Sequence, residues 1–330
     1  LAFLLIFLPY TVFHEAISWM IQGVLWISRQ SYGMLTIGHV PFLWVLLFYF
    51  MTGLWIWKKN GQNRHIRISL AYVIMIILIW IPMARRKSLA FLDVGQGDCF
   101  VADTKSGAII FDGGSSSEDQ VGRYRILPYM KYLGYQKIQI AVISHMDIDH
   151  YSGIKELLEM GKIKYLGLPE IPKDETMKKI IGIAKKRGTT IFYLSRGRQI
   201  TTKDGSLKVL HPQKNSQMEK NAASLVMQGK ILGYRVLLTG DVEKEGEEEL
   251  LSEELERADI LKAAHHGSKN STSNEFLQKV QPKQTVISCG KQNRYGHPHL
   301  ETIHRLQTYH TKIYRTDRSG AIIFFKRRDG

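Results

Sequence analysis

The sequence predicts an α/β domain of two sheets covered by helices, preceded by an apolar segment with the character of membrane spans. Three observations lead there. The first 87 residues are apolar and basic, whereas the remainder has an ordinary mixed composition. After Lys87, short strand-like runs alternate with amphipathic helices across glycine turns. Three of the later strands end in clusters of His and Asp, which puts chemistry at the ends of strands.

The 330-residue chain carries a formal charge of +15. A net +7 falls in residues 1–87, from Arg29, Lys58, Lys59, Arg64, Arg67, Arg85, Arg86 and Lys87 against the single acid Glu15, leaving +8 for the other 243 residues. Cations that flank apolar runs read as membrane-interface anchors rather than as a nucleic-acid surface. The chain enters LAFLLIFLPYTVF without a charged start or cleavage site, so this segment reads as the continuation of a longer membrane protein. Val40–Trp57 holds no charge, its apolar character reaches back to Met34, and Trp55, Trp57, Lys58 and Lys59 give it an interfacial end. A second run, Ser69–Ala84, is framed by Arg67 and Arg85–Arg86, while His14–Arg29 is amphipathic and suits a membrane surface. Residues 1–87 are therefore expected to hold about two full spans, and residues 88–330 a separate domain. Two cysteines, Cys99 and Cys289, without CxxC spacing argue against a disulfide framework and a cysteine zinc site.

Within that domain, Ser88–Val94, Cys99–Asp103 and Ala108–Phe111 read as strands joined by Gly-containing turns. Ile138–Ser144 is a continuous apolar run, the pattern of a strand buried on both faces, and a helix opens at Gly153–Met160. Strand Tyr165–Leu168, helix Thr176–Lys186 and strand Thr190–Leu194 repeat the alternation. Strands Leu207–Leu210, Ser224–Gly229 and Tyr234–Thr239 precede an acidic helix over Glu243–Glu256, whose glutamates form a solvated face. Strand Ile260–Ala264, helix Asn274–Val280, strand Thr285–Ser288 and helix Leu300–Tyr309 lead to final strands Lys312–Arg315 and Ala321–Phe325.

The chemistry lies where strands end. IQIAVISHMDIDHYSG, from Ile138 to Gly153, runs from an apolar strand into His145, Asp147, Asp149 and His150. Alternate residues of an extended segment share a face, so His145, Asp147 and Asp149 converge, and the turn brings His150 beside them. Two imidazoles and two carboxylates crowded at a buried strand end require a cation to offset their desolvation and repulsion. VLLTGDVEKEG delivers Asp241 to another strand end, where a carboxylate either bridges two metals or caps the following helix. DILKAAHHGSKNST ends a third strand in His265 and His266, and YGHPH sets His297 and His299 around a proline turn as substrate contacts, ligands or helix caps.

In this order, FLDVGQGDCF, IIFDGG, SHMDIDHYSG, NAASLVM, LLTGD, AAHHGSKNST and YGHPH resemble the C-terminal domain of the ComEC family of DNA-internalisation (natural competence) membrane proteins. The resemblance runs from Leu89 to about Lys326 and implies a metallo-β-lactamase fold, an αββα sandwich, preceded by transmembrane helices. It implies two divalent metal ions. His145 and Asp147 would hold one, Asp149 and His150 the other; Asp241 would bridge them, and one of His265 and His266 would complete the second. Asp147 stands where the fold's HxHxDH pattern has its second His, and Asn221 is the nearest match to the His that ordinarily precedes the bridging Asp. Carboxylate and amide in place of imidazole harden that site and move its preference from Zn²⁺ toward Mn²⁺ or Mg²⁺. Asp112 resembles the fold's early Asp, which orients ligand loops from behind. Asp93 and Asp98 belong to a loop at the same mouth, which Gly95 and Gly97 let turn tightly.

The resemblance thus implies a dinuclear hydrolase in which Asp149 orients the attacking water and takes its proton, while Ser268, His297 and His299 hold phosphate oxygens. It implies DNA, single- or double-stranded and of any sequence, as substrate, and the domain's +8 suits a groove that tracks a phosphate backbone. The expected role is a nuclease on the strand not transported in DNA uptake, with the lipid membrane and other competence proteins as partners. Two other readings stay open: a membrane-tethered phosphodiesterase of another substrate, and a non-catalytic DNA-guiding module. The loop Lys58–Arg67 carries four cations against three after the second run, which places the hydrolase domain on the extracytoplasmic side.

Overall fold

The computed structural model describes residues 86–218 and 221–327, the segment 38–57, and scattered residues within 15–25 and 69–73. The chain divides into two compact units, Leu1–Ile37 and Gly38–Gly330, and every element below belongs to the second. Helix α1, Phe42–Trp57, has sixteen residues and no charge, and Phe42, Leu43, Tyr49 and Phe50 stand more than half exposed along it. No helix among the described residues is long and apolar enough to cross a membrane. The loop Lys58–Arg67, most of Ser69–Ala84 and part of His14–Arg29 lie outside the described residues.

From Ser88 the chain builds two sheets. The first contains β1 (Ser88–Phe91), β2 (Phe100–Thr104), β3 (Gly107–Phe111), β4 (Ile138–Val142), β5 (Ile163–Pro169) and β6 (Thr190–Leu194). The second contains β7 (Gln199–Thr202), β8 (Gly205–His211), β9 (Val226–Ile231), β10 (Tyr234–Leu238), β11 (Ile260–Lys262), β12 (Gln284–Ile287) and β13 (Lys312–Arg315). The last strand, β14 (Ile322–Phe325), returns to the first sheet and pairs with β1. The orders are β14-β1-β2-β3-β4-β5-β6 and β13-β12-β11-β10-β9-β8-β7. Pairing is parallel from β3 to β6 and from β10 to β13, and antiparallel elsewhere.

Side-chain alternation explains the layering. In β1, Leu89 and Phe91 enter a core between the sheets with Phe100, Phe111, Met227 and Leu238, whereas Ala90 faces the opposite way with Val101, Ile110 and Ala141. Helix α2 (Leu127–Tyr132) continues a π-helical turn over Gly122–Ile126. With α3 (Ile148–Glu159) and α4 (Glu175–Lys186) it covers that outer face through Met130, Ile154, Leu157, Leu158, Met177 and Ile180. On the far side α5 (Lys244–Leu251), α6 (Asn274–Val280) and α7 (Leu300–Thr308) bury Leu250, Phe276, Leu277 and Leu306 against the second sheet. The expected αββα sandwich is present.

Two helix boundaries differ from expectation by several residues. Helix α3 begins at Ile148 rather than near Gly153, because Asp147 takes an extended N-cap conformation (φ -99°, ψ 149°) and the chain coils at once. Asp149 and His150 therefore sit on a first helical turn, and it is this turn, not strand alternation, that aims them. The acidic helix stops at Leu251, where the Ser252 hydroxyl donates to Glu249 O at 2.6 Å, short of the expected Glu256. The ends of β3, β4, β10, β11 and β12 release Asp112, His145, Asp241, His265–His266 and Ser288 on one rim. Open α/β sheets place ligands at this end of their strands.

Candidate metal centre

Asp112 follows β3 in the left-handed region (φ 56°) and turns its carboxylate toward the next strand. Its Oδ1 accepts from Ser144 N at 2.7 Å and its Oδ2 meets His150 Nδ1 at 3.0 Å. His265 and His266 are left-handed too (φ 46° and 53°), and Gly267 follows at 83°. Such backbone strain persists only where the surroundings over-determine it. Here it carries two adjacent imidazoles onto one side of the chain.

The imidazoles share one arrangement. Nδ1 is held by Ser144 Oγ in His145 (3.1 Å), by Asp112 Oδ2 in His150 (3.0 Å), by Glu243 Oε1 in His265 (2.8 Å) and by Ser288 O in His266 (2.9 Å). Fixing one nitrogen orients the ring and presents the other. The Nε2 atoms of His150, His266 and His265 lie 3.1, 3.4 and 3.8 Å from a single oxygen, Asp241 Oδ2. His145 Nε2 lies 3.6 Å from Asp147 Oδ2. The Nε2 atoms of His145, His150 and His266 are buried without a hydrogen-bond partner. Asp241 is not spent on capping, since the N-cap of α5 is Glu243.

Asp149, His150, Asp241 and His266 each offer a ligand atom within 4.8 Å of the others. Asp98, Asp112 and His150 form a second such group behind them. That second group is neutralised from within, because the buried Lys262 ammonium pairs with Asp98 and Asp241 and donates to Gly240 O. Burial opposes charge on Asp98, Asp149, His150, Asp241, Lys262 and His266, yet their mutual attraction wins. Asp241 and Asp112 raise His150 well above the usual imidazole range, and Asp241 and Asp98 raise His266. In turn His150, His266 and Lys262 hold Asp241 well below the carboxylate range, and Lys262 and His266 hold Asp98 at about 2. Asp149 is lowered by His266 and His150. The pocket is built for positive charge, and its orphaned Nε2 atoms and carboxylates fit a divalent cation.

The remaining expected residues divide. Asp98 stands behind the rings, its Oδ1 3.4 Å from His266 Nδ1, and its N donates to Asp149 O at 3.0 Å. Asp93 is local, accepting from Gly95 N at 3.2 Å. Asn221 lines a hollow of about 1160 Å³ with Glu243, Lys269 and Arg305, next to the cleft that Asp149, Asp241 and His266 line; Ser224 Oγ is the group that meets Asp241 N, at 3.3 Å. Ser268 is buried with its Oγ accepting from Asn270 N, and His299 sits at the N-cap of α7 with Nδ1 accepting from Lys269 N. His297 reaches the cleft itself, a space of about 240 Å³ shared with Gln96, Asp147, Asp149, Asp241, His265 and His266. Burial and the neighbouring His266 and His265 push His297 down to about 4, so its ring is neutral at pH 7. Sequence reasoning missed Lys262, Ser144, Glu243 and Ser288. Only Lys262 left a signal, as a lone cation inside the apolar strand of DILKAA.

This fold and rim of ligands define a class. Residues 92–291 match the Metallo-beta-lactamase superfamily, and the chain belongs to it. Its sequence relatives are more particular, being homologues of the ComEC family. ComE operon protein 3 of Bacillus subtilis (strain 168) is 34% identical over 294 residues, which is 83% of this chain and 38% of that protein. Competence protein ComA of Neisseria gonorrhoeae is 30% identical over 248 residues, 72% of this chain and 32% of that one. The chain thus spans about a third of the length of these relatives. Among solved structures, the metallo-beta-lactamase fold protein YhfI from Bacillus subtilis aligns with a TM-score of 0.49 at 13% identity, over 72% of this chain and 99% of that one.

Proposed function

We propose that the chain is a membrane-tethered, metal-dependent phosphodiesterase that cuts DNA and degrades the strand not taken up in competence. One observation carries the reading: the imidazoles whose Nδ1 atoms are held from behind turn their Nε2 atoms onto Asp241 and Asp147. Asp149, His150, Asp241 and His266 would hold one ion, and His145 and Asp147, sharing Asp241, a second; Mn²⁺ or Zn²⁺ suits this donor set, and Mg²⁺ less closely. Divalent ions so held lower the pKa of a bound water and offset charge on a phosphate under attack. Asp149, ionised and lining the cleft, orients a water and accepts its proton. His297, neutral, donates to a non-bridging phosphate oxygen, and Ser268 and His299 complete the loop beside it.

The name of the homologue Competence protein ComA supports competence partners, the resemblance to the ComEC family supports DNA, and the uncharged, outward-facing apolar side chains of α1 support membrane attachment. The cation-rich loop Lys58–Arg67 supports an extracytoplasmic hydrolase domain in a multi-pass protein. The test is DNA cleavage by the purified chain with Mn²⁺, Mg²⁺ and Zn²⁺ in turn. Cleavage is expected with little sequence preference, weakening as salt rises. Asp149→Ala abolishes it without loss of secondary structure. His297→Ala and His299→Ala slow it about 10- to 100-fold with metal content unchanged. No cleavage with any of the three ions refutes the reading, and metal loss in step with activity makes these histidines ligands instead.

A further inference from the structure

We propose that Tyr295 and Ile148 form a platform on which an unpaired nucleobase stacks beside the phosphate held at the metal centre. Single strands are then the direct substrate, and a duplex is cut only where a base leaves its stack. The proposal rests on the phosphodiesterase reading and adds to it the part of the substrate that is not phosphate.

Both side chains line the cleft that contains Asp149, Asp241 and His266. Ile148 is 54% exposed and Tyr295 43%. Scattered exposed apolar residues are ordinary, but these two come from different elements and meet in one small cleft whose floor is carboxylate and imidazole. Ile148 opens α3 between Asp147 and Asp149, so it cannot withdraw without moving them. Tyr295 is held in place as well. Its ring stacks on His297 at 5.7 Å and 21°, and Arg294 donates to its hydroxyl at 2.7 Å. The turn beneath is pinned by Asn293, which donates to His297 O at 2.6 Å and accepts from His297 N at 3.0 Å. A rigid aromatic surface beside a phosphate site, with the Arg294 guanidinium 4.8 Å from its centroid, matches the way single-stranded nucleic acid is gripped by stacking and cation–π contact. A phosphodiester of DNA brings a flat base one sugar away from the reacting phosphorus; a lipid phosphodiester brings no such group. In a duplex both faces of each base are already stacked, so Tyr295 reaches only a base that is unpaired or displaced.

The test uses the full chain with single-stranded oligonucleotides in which one nucleoside at a time is replaced by an abasic residue. Wild type should show one position, next to the scissile bond, where base loss raises KM about 10- to 100-fold. Tyr295→Ala should lose the same factor on the intact oligonucleotide and become indifferent to that abasic position. Tyr295→Phe should restore the dependence, and metal content and Tm should match wild type in both. A second arm places 2-aminopurine at that position, or at each position in turn if no cleavage occurs, and reads its fluorescence on binding without divalent ion. Quenching by wild type that Tyr295→Ala abolishes supports stacking even if the chain cuts nothing, in which case the hydrolase reading alone fails. Cleavage insensitive to base loss at every position, or equal quenching by wild type and Tyr295→Ala, overturns the platform and leaves the hydrolase reading intact.

Discussion

His150 uses both nitrogens of one ring: Nδ1 is held by Asp112 at 3.0 Å, and Nε2 faces Asp241 at 3.1 Å. The strand-end clusters made His145, Asp147, Asp149, His150, Asp241 and the His265–His266 pair legible, because a polar residue that ends an apolar run has few structural uses. Their supports were not legible. Ser288 holds His266 through a backbone carbonyl, which every residue possesses, and Lys262 meets Asp98 across 164 residues of chain. The raised His150 and His266 give a prediction. In the metal-free protein both rings carry protons near neutrality, since the folded-state value lies above the ordinary one. That contribution to metal-free stability is present at low pH and lost as pH rises through the raised values. A divalent ion must displace those protons, so affinity should fall as pH drops, and binding at pH 7 should release about one to two protons. Calorimetry in buffers of different ionisation enthalpy measures this. Release of none would mean that the rings are neutral before the metal arrives.

At the level of elements, the glycine loop after β1 is the part that locks the site. Gly97 packs so closely that a Cβ would overlap Gly114 O and Asp149 O, and the adjacent Asp98 N donates to Asp149 O at 3.0 Å. Gly97→Ala must push that loop away from the first turn of α3. The expected cost is about 1–3 kcal/mol of stability, with a larger fractional loss of metal affinity because Asp98 and Asp149 move together. Thermal melts and metal titration of the variant decide it; wild-type values in both would show that the contact is slack. The strands and most helices were readable because their apolar periods are long and regular. The start of α3 was not, since Asp147 ends its extended stretch through a backbone choice that HMDIDH does not announce. β7, QITT, was missed because it lacks apolar alternation and exists through its hairpin with β8.

For the whole molecule, the two-sheet sandwich gathers ligands from strands distant in sequence onto one rim, with helices on both outer faces. The proposed outward placement of this rim is testable. Both cysteines are buried, so protease access serves better than thiol labelling. In intact cells making the full-length protein, added protease should cut the domain; protection that ends only on lysis would place it inside. The central claim is that the rim is a metal centre. Elemental analysis of the purified chain, after incubation with Mn²⁺ or Zn²⁺ and desalting, tests it most directly. We predict about two divalent ions per chain in wild type, falling to one or none in Asp241→Ala and His266→Ala while the fold is retained. Wild-type protein that retains no divalent ion under these conditions would contradict it.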